Sequence, residues 1–442
     1  MSDVQVSAPI GPPHVTPRGA GEAWFSGVRA WGAAECVDVV IEPERLREPG
    51  FWAVVGEFEG RVRAWRFTEV ERADADADAG QADAAAARAD AGAALADAPE
   101  AAVAPDEARA RAASAWRGPA ASAWTSSLDQ HGYEAAVRAV QDEIRAGEVY
   151  QANLCRVLSA PLSGAPGEPE PDARALAAVL AQGNPAPFAG GVHVPGGSGV
   201  DPVWVVSASP ELFLRVEGDV VTSSPIKGTA TTAEGLSAKD EAENVMITDL
   251  VRNDLQRVSV PGTVEVTALL ALERHPGLVH LVSTVQGRLA PEVLGSSQLW
   301  RHLLDATFPP GSVSGAPKSS ALRIIRRLEP VPRGPYCGAV GWVDVAEDGS
   351  VRAELAVGIR SFWWERRPGV PVRGRRGLPV THPPEDPGPR VPAGAGTLRF
   401  GTGAGITWGS DARAEWRETE LKAARLVALA SRGGPPVGDW AP

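Results

Sequence analysis

Cysteine is scarce in this chain, and its scarcity excludes two kinds of protein. The 442 residues contain three cysteines, Cys36, Cys155 and Cys337. Three cysteines that lie far apart in the sequence build neither a disulfide framework nor a metal site of regular ligand spacing. We therefore expect a protein of a reducing cytoplasm.

Long apolar runs and an excess of positive charge are also missing. No stretch of about 18 uninterrupted apolar residues is present, and the N-terminus has no secretory signal pattern. The net charge of −12 is unfavourable for non-specific nucleic-acid binding, which needs a basic surface. The sequence thus predicts a soluble intracellular protein that binds neither membranes nor nucleic acid.

The composition divides the chain into three regions. Short alternating apolar runs indicate an N-terminal β-rich region at 1–72. Residues 73–126 are rich in Ala and Asp and offer too little apolar surface for a packed core, which predicts a linker or insertion. Residues 127–432 combine helices and hairpins without regular βαβ alternation, which predicts an α+β fold. Within this region, the Pro- and Arg-rich segment 366–396 is predicted to be a disordered insertion.

A lysine just beyond a predicted hairpin is the first candidate for chemistry. Lys227 lies between Ile226 and Gly228, on a segment too short to be a helix. A lysine on rigid backbone beside apolar neighbours is placed for a lowered pKa and for nucleophilic use. An ordinary surface lysine at a turn would show the same local pattern, so both interpretations stay open.

Two predicted helices carry carboxylates: on one helix the carboxylate points inward, and on the other the carboxylates share one face. Glu243 is in register with apolar residues at i+3, i+4 and i+7, whereas Glu415, Glu418 and Lys422 share one face of the C-terminal helix. The sequence shows no cationic partner for Glu243 or Glu418. Two helices that offer carboxylates suit Mg²⁺, although an exposed, salt-bridged face is the alternative for the C-terminal helix.

Two glycine-rich segments are candidates for binding an anion through backbone N–H groups. Residues 308–318 lead directly into an amphipathic helix, whose N-terminus has free donors. Residues 401–405 lack the context of a dinucleotide fingerprint. Arg360, on a strand predicted at 351–363, could pair with a carboxylate. His280, between apolar residues, is by itself more typical of a core histidine.

Taken together, several segments resemble the chorismate-utilising enzymes. They are 147–154 (GEVYQANL), 209–213 (SPELF), 225–229 (PIKGT), 242–254 (AENVMITDLVRND), 279–287 (VHLVSTVQG), 308–318, 336–338 (YCG), 358–360 (GIR), 403–406 (GAGI) and 414–419 (AEWRET). They occur in the family's order over roughly 130–430. A lysine in PIKGT resembles component I of aminodeoxychorismate synthase, since anthranilate synthases usually have alanine there.

The resemblance implies a fold and a reaction. The fold is an anthranilate-synthase-like α/β sandwich of antiparallel sheets flanked by helices. The reaction converts chorismate and ammonia to 4-amino-4-deoxychorismate for para-aminobenzoate and folate synthesis. Anthranilate synthase component I is the alternative, and a non-catalytic chorismate-binding scaffold is a third, disfavoured by the retained acids.

The resemblance also implies roles for individual residues. Lys227, Glu211 and His280 are expected to be catalytic. Mg²⁺ is expected at Glu243, Glu415, Glu418 and Asp240. Substrate binding is expected at Arg360, Tyr336, Gly403, Ala404, Gly405, Lys422, Gln151, Thr229 and Ser314.

Ammonia needs a source that this sequence does not supply. A glutaminase needs a cysteine on a sharp turn with a histidine partner, and Cys36, Cys155 and Cys337 lie in no such setting. We therefore expect a separate glutamine amidotransferase subunit as partner.

Overall fold

The structure is a computed structural model that describes residues 20–72, 112–165, 167–230, 232–275, 278–366 and 395–431. Most of the two predicted low-complexity segments, 73–111 and 367–394, lies outside the described residues. Within the described ranges, no helix has the length and apolar character needed to cross a membrane.

Antiparallel strands form the frame of the molecule. They are β1 (Glu22–Phe25), β2 (Val28–Asp38), β3 (Gly50–Gly56), β4 (Val62–Arg72), β5 (Thr125–Ser126), β6 (Gln151–Ser163), β7 (Phe188–Val194), β8 (Val203–Ser209), β9 (Leu212–Glu217), β10 (Val220–Ser224), β11 (Ile226–Ala230), β12 (Glu265–His275), β13 (Leu278–Arg288), β14 (Gly315–Ala316), β15 (Ala339–Val345), β16 (Val351–Val357), β17 (Ser361–Arg366) and β18 (Ala395–Ile406).

The strands pair along one continuous path that forms two facing halves. One half runs β13–β10–β9–β16–β15–β3–β4–β2, with β11 and β12 also on β13. Through β1 the path continues into β7–β8–β17–β18–β6. Side chains of both halves, such as Trp52 on β3 and Val205 on β8, share one buried core. The α+β sandwich expected from the sequence is therefore confirmed.

The helices flank these sheets. They are α1 (Gln130–Arg145), α2 (Ala173–Gly183), α3 (Ala238–Gln256), α4 (Pro291–Leu294), α5 (Leu299–Thr307), α6 (Lys318–Leu328) and α7 (Ala412–Ala430). Side-chain caps fix where several begin: Asp129 accepts from the N–H of Gly132, and Asp411 accepts from the N–H of Ala414. A second core packs α2 and α7 onto β6, β8, β17 and β18, and Leu176 and Leu426 are among its buried residues.

Two local features differ from the sequence-based expectation. The strand predicted at 351–363 is interrupted, because Arg360 adopts a φ of +54° between β16 and β17. The last part of the predicted linker packs against the core: Trp116 is buried and its indole N–H donates to the carbonyl of Ala430 at 2.8 Å. Trp116 and Trp124 supply the apolar area that the preceding Ala/Asp repeat lacks.

Candidate active site

Strand β11 brings Lys227 to the junction of the sheet with α3. Pro225 separates β10 from β11, and Lys227 pairs with Leu281 on β13. Gly228 has a φ of +77°, and a Cβ on it would lie 2.9 Å from Cβ of Asp240 at the start of α3. Glycine at this position therefore permits close contact between strand and helix.

Lys227 is half-buried among groups of both charges. Burial lowers the pKa of its ammonium, and Glu243, Glu211 and Glu418 oppose this shift. The positive charge of Lys422 lowers the pKa further. The net result is a lowered pKa, which favours the neutral, nucleophilic amine compared with a lysine in water.

Glu211 faces Lys227 from the turn between β8 and β9. Its side chain is 3% exposed, and burial raises the pKa of its carboxyl to about 7. Hydrogen bonds from the Ser312 hydroxyl and the Ile226 N–H act against that increase, as does the charge of Lys227. A carboxyl group with such a pKa is available as a proton donor near neutral pH.

A group of carboxylates joins α3 to α7. Nζ of Lys239 lies 3.6 Å from a carboxylate oxygen of Glu243 and 3.6 Å from one of Glu415. Nζ of Lys422 lies 2.6 Å from Glu418. The expectation that Glu243 and Glu418 have no cationic partner is wrong, because the fold brings Lys239 between two helices and Lys422 lies one turn after Glu418.

These carboxylates have the donor chemistry of a Mg²⁺ site, but a lysine stands between them. Burial, together with the neighbouring Glu418, raises the pKa of Glu415, although Ser410 donates a hydrogen bond to it. Oxygen ligands of this type suit Mg²⁺. Among the described residues, however, no three acidic, His or Cys side chains converge in ligand geometry. The half-exposed Lys239 would have to swing out before Glu243 and Glu415 could share a cation.

Asp240 is used in capping α3. One of its carboxylate oxygens accepts from the N–H of Ser237 at 2.9 Å and from the Ser237 hydroxyl at 2.6 Å, and its own N–H donates back to that hydroxyl. This capping box fixes the start of the helix that carries Glu243. A part for Asp240 in metal binding stays a prediction.

Strand β18 contributes a wall of small residues. A Cβ on Gly401 would lie 2.0 Å from the ring of Tyr336, and a Cβ on Gly405 would lie 2.2 Å from Nε2 of Gln151. The methyl group of Ala404 packs into the core, so this residue presents only its backbone on the site side of β18. Nζ of Lys422 donates to the carbonyl of Gly403 at 3.1 Å and thereby ties α7 to β18.

Two amide side chains on β6 form a polar group next to this wall. Gln151 is 1% exposed, and neither atom of its amide has a hydrogen-bond partner within the described part of the chain. The Oδ1 atom of Asn153 is unpartnered there as well. Unpartnered buried amides are costly, so this group is suited to a polar ligand. Ser314, in contrast, is buried and its hydroxyl already donates to the carbonyl of Pro310 at 3.0 Å.

The remaining predicted residues lie on both sides of the site. Arg360 is half-buried beside Tyr336, and burial lowers the pKa of its guanidinium. His280 is buried on β13, where it pairs with Thr229 of β11. The side chain of Thr229 lies outside the described residues, so its predicted contact with substrate stays a prediction.

Sequence reasoning missed three residues of this site. Lys239 lies four residues before Glu243, a helical spacing that could have indicated this ion pair. Its second partner, Glu415, is remote in sequence. Ser312 lies in the glycine-rich loop that was noted only for its backbone. Asn153 shares the alternating strand face of Gln151 and could have been found from that alternation.

This chain is similar to known proteins in sequence and in fold. A sequence model of the chorismate binding enzymes matches residues 56–370 and 392–428. Anthranilate synthase component 1 of Saccharolobus solfataricus is 33% identical over 311 residues, which are 68% of this chain and 62% of that protein. Aminodeoxychorismate synthase component 1 of Salmonella typhimurium is 33% identical over 318 residues, which are 69% of this chain and 59% of that protein.

The chain thus aligns with less than two thirds of the length of either relative. The solved structure of anthranilate synthase component I from Streptococcus pneumoniae superimposes with a TM-score of 0.59 at 22% identity, covering 97% of this chain and 95% of that chain. At this identity the likeness concerns the fold.

Proposed function

The chain belongs to the chorismate binding enzymes, and from that premise we propose that it is an aminodeoxychorismate synthase component I, which converts chorismate and ammonia to 4-amino-4-deoxychorismate. The observation that carries this proposal is the position of Lys227: a half-buried lysine with a lowered pKa, next to the acid Glu211. An enzyme that adds ammonia directly at C2 has no need of a second nucleophile in its site.

The proposed reaction proceeds in two displacements. The neutral amine of Lys227 attacks C2 of chorismate while the C4 hydroxyl leaves, and Glu211 supplies the proton that releases it as water. Ammonia then adds at C4, and the lysine leaves C2 as the electrons shift back. His280 is proposed to lie near the departing hydroxyl. The enolpyruvyl group is retained throughout.

Substrate recognition is proposed for residues on two sides of the site. Arg360 and Tyr336 would bind the enolpyruvyl carboxylate, since a guanidinium and a phenol hydroxyl both donate hydrogen bonds to oxygen. The backbone of 403–405, supported by Lys422, would face the ring carboxylate. Further contacts to the ring are proposed for Gln151, Thr229 and Ser314.

A cofactor is part of the proposal. Glu243, Glu415 and Glu418 would hold Mg²⁺, with Asp240 in a supporting position, once the ammonium of Lys239 has moved aside. When bound, the ion neutralises negative charge on the substrate carboxylate. Glu243→Gln is expected to abolish turnover with an unchanged melting temperature, and full turnover in excess chelator would contradict the assignment.

A partner is proposed for the supply of ammonia. The relatives are named as first components, which implies a second, and this chain shows no glutaminase nucleophile. We therefore propose a glutamine amidotransferase subunit as the partner. A cytoplasmic location is also part of the proposal. Folate synthesis is the proposed destination of the product.

Anthranilate synthase component I is the competing function, because relatives of both names match with the same 33% identity. Product analysis separates the two. The purified chain is incubated with chorismate, Mg²⁺ and an ammonium salt at mildly alkaline pH. The expected product keeps the enolpyruvyl group, whereas anthranilate has lost pyruvate and fluoresces.

The same assay with two variants tests the role of Lys227. Lys227→Ala should suppress the C4 product. Lys227→Arg is the matched control, since it keeps the positive charge but offers no neutral amine, and it should be equally inactive. Anthranilate from the wild type, together with an unimpaired alanine variant, would refute the proposed function.

A further inference from the structure

A buried ion pair joins the ends of three helices next to the candidate active site. Asp254, in the last turn of α3, is 6% exposed, and Lys318 is the first residue of α6. Nζ of Lys318 lies 2.7 Å from Oδ2 of Asp254 and donates to the carbonyl of Thr307, the last residue of α5, at 2.9 Å. Because Thr307 and Lys318 flank the loop 308–317, this ammonium ties the base of that loop to α3.

The loop 308–317 packs closely between α3 and β6. A Cβ on Gly311 would lie 2.8 Å from a methyl group of Leu250, which is one helical turn before Asp254. On the side of β6, Nδ2 of Asn153 donates to the carbonyl of Ser312 at 3.1 Å. The loop therefore has no room for a side chain at Gly311, and its seat between helix and strand depends on where its base is held.

Glu211 lies beside this loop. A cavity of about 10 Å³ is lined by Glu211, Ser312, Thr307 and Asp254, together with apolar side chains such as that of Phe213. One water molecule needs roughly 10–15 Å³, so this cavity is at the lower limit for a single water. Glu211 is 3% exposed and Ser312 is 4% exposed. The loop and the ion pair thus form part of the wall between the carboxyl group and bulk water.

Stability alone is a weak reason for a charged pair at this place. Burial raises the pKa of Asp254 and lowers the pKa of Lys318, so the surroundings disfavour the charged form of both groups. Apolar side chains of similar size often replace a buried ion pair with no loss of stability. They cannot, however, make the hydrogen bond from Lys318 to the carbonyl of Thr307. The pair is therefore better explained by the position that it gives to the loop.

We propose that Asp254 and Lys318 are positioning residues, which hold the loop 308–317 closed beside Glu211 and keep water away from this side of its carboxyl group. They act through Glu211 and not on the substrate. Burial raises the pKa of Glu211 from 4.5 to about 7, so a loop that opens to water must lower that pKa again. The use of Glu211 as an acid rests on the proposed function, whereas the closed loop does not.

The variant that tests this role removes both charges at once. Asp254→Leu combined with Lys318→Met leaves no unpaired buried charge. It also leaves the net charge beside Glu211 unchanged, so the attraction of Lys227, which faces Glu211 from β11, is not altered by a new neighbour. A change in the titration of Glu211 then reports the access of water.

A second variant and a control surround this experiment. Gly311→Ala pushes the loop away from Leu250 without touching a charged group, and it decides the question if the double variant does not fold. Arg323→Met is the matched control, since it removes the ion pair of another α6 residue, 2.7 Å from the exposed Glu148. It should leave the titration of Glu211 unchanged.

The titration of Glu211 can be followed without an activity assay. The unfolding free energy in urea is measured for each protein, with Glu211 and with Glu211→Gln, from about pH 4 to about pH 9, and the difference isolates this group. The pH at which the difference levels off marks the pKa in the folded state. We expect this pH to be about one unit lower in the double variant and in Gly311→Ala than in the wild type.

The pH profile of activity should show the same change. When the pKa falls from about 7 by one unit, the protonated fraction of Glu211 at pH 7 falls from about one half to about one tenth. The double variant should therefore lose about fivefold in kcat/KM at pH 7. The ratio of wild-type to variant activity should approach one below about pH 5.5, where both proteins hold the proton.

Three results would overturn the proposal. An equal loss of activity at every pH, with unchanged stability profiles, would show that the pair only supports the fold. Unchanged profiles without any loss would show that the loop stays closed without the pair. A shift to higher pH would show that the loop acts through its hydrogen bonds and not by excluding water. A chain that never turns over chorismate would refute the proposed function, and the stability profiles would then decide on the loop by themselves.

Discussion

Glu211 should make the stability of this protein fall as the pH rises through neutrality. Its pKa is raised from 4.5 to about 7 by burial, so between these values the folded state holds a proton that the unfolded state has released. Stability is therefore greatest below the unfolded pKa and decreases until the pH passes the folded pKa. From about pH 5 to about pH 8 the loss due to this one group is roughly 2.5 kcal/mol, at 1.36 kcal/mol for each pKa unit.

Glu211→Gln removes this titration and keeps the size of the side chain. The difference in unfolding free energy between variant and wild type should therefore shift by about 2.5 kcal/mol in favour of the variant between the two pH values. Urea unfolding followed by tryptophan fluorescence measures this difference. Glu347→Gln, at an exposed turn, is the matched control and should show no such shift. Parallel pH profiles for wild type and Glu211→Gln would refute the argument.

Three further changes test the packing around the site. Arg333→Met should destabilise the fold by about 3–5 kcal/mol in urea unfolding, because it leaves the buried carboxylate of Glu329 without its partner. Gly401→Ala should lower the melting temperature, since its methyl group would lie 2.0 Å from the ring of Tyr336, and an unchanged melting temperature would show that the ring can move. Lys239→Met should strengthen the proposed Mg²⁺ binding two- to fivefold in calorimetric titration, because a competing ammonium worth about 0.5–1 kcal/mol is removed; weaker binding would refute the competition.

The strands and helices that carry the site were predictable because their patterns are local. The predicted helix that carries Glu243 is α3, and the predicted C-terminal helix that carries Glu415 and Glu418 is α7. Both have apolar residues at helical spacing, and side-chain caps fix where they begin. Lys227 was likewise expected beyond a hairpin, and β9 and β10 form that hairpin.

What the sequence could not reveal are the contacts between distant segments. The partners of Lys239 lie on two helices, and only the packing of α3 near α7 makes it a bridge. The break at Arg360 has no glycine or proline at that position to mark it, because the positive φ belongs to an arginine.

One physical cause accounts for both protonation states that the proposed reaction needs. Attack by Lys227 requires a neutral amine, whereas departure of the C4 hydroxyl requires a protonated acid at Glu211. In water near neutral pH, an isolated lysine is charged and an isolated glutamate is ionised, so both would be in the wrong state. Burial disfavours the charged form of each group, which lowers the pKa of Lys227 and raises that of Glu211. Their mutual attraction opposes both shifts, but desolvation is the larger effect for each. By burying the two groups next to each other, the fold moves nucleophile and acid together towards the states in which they can react.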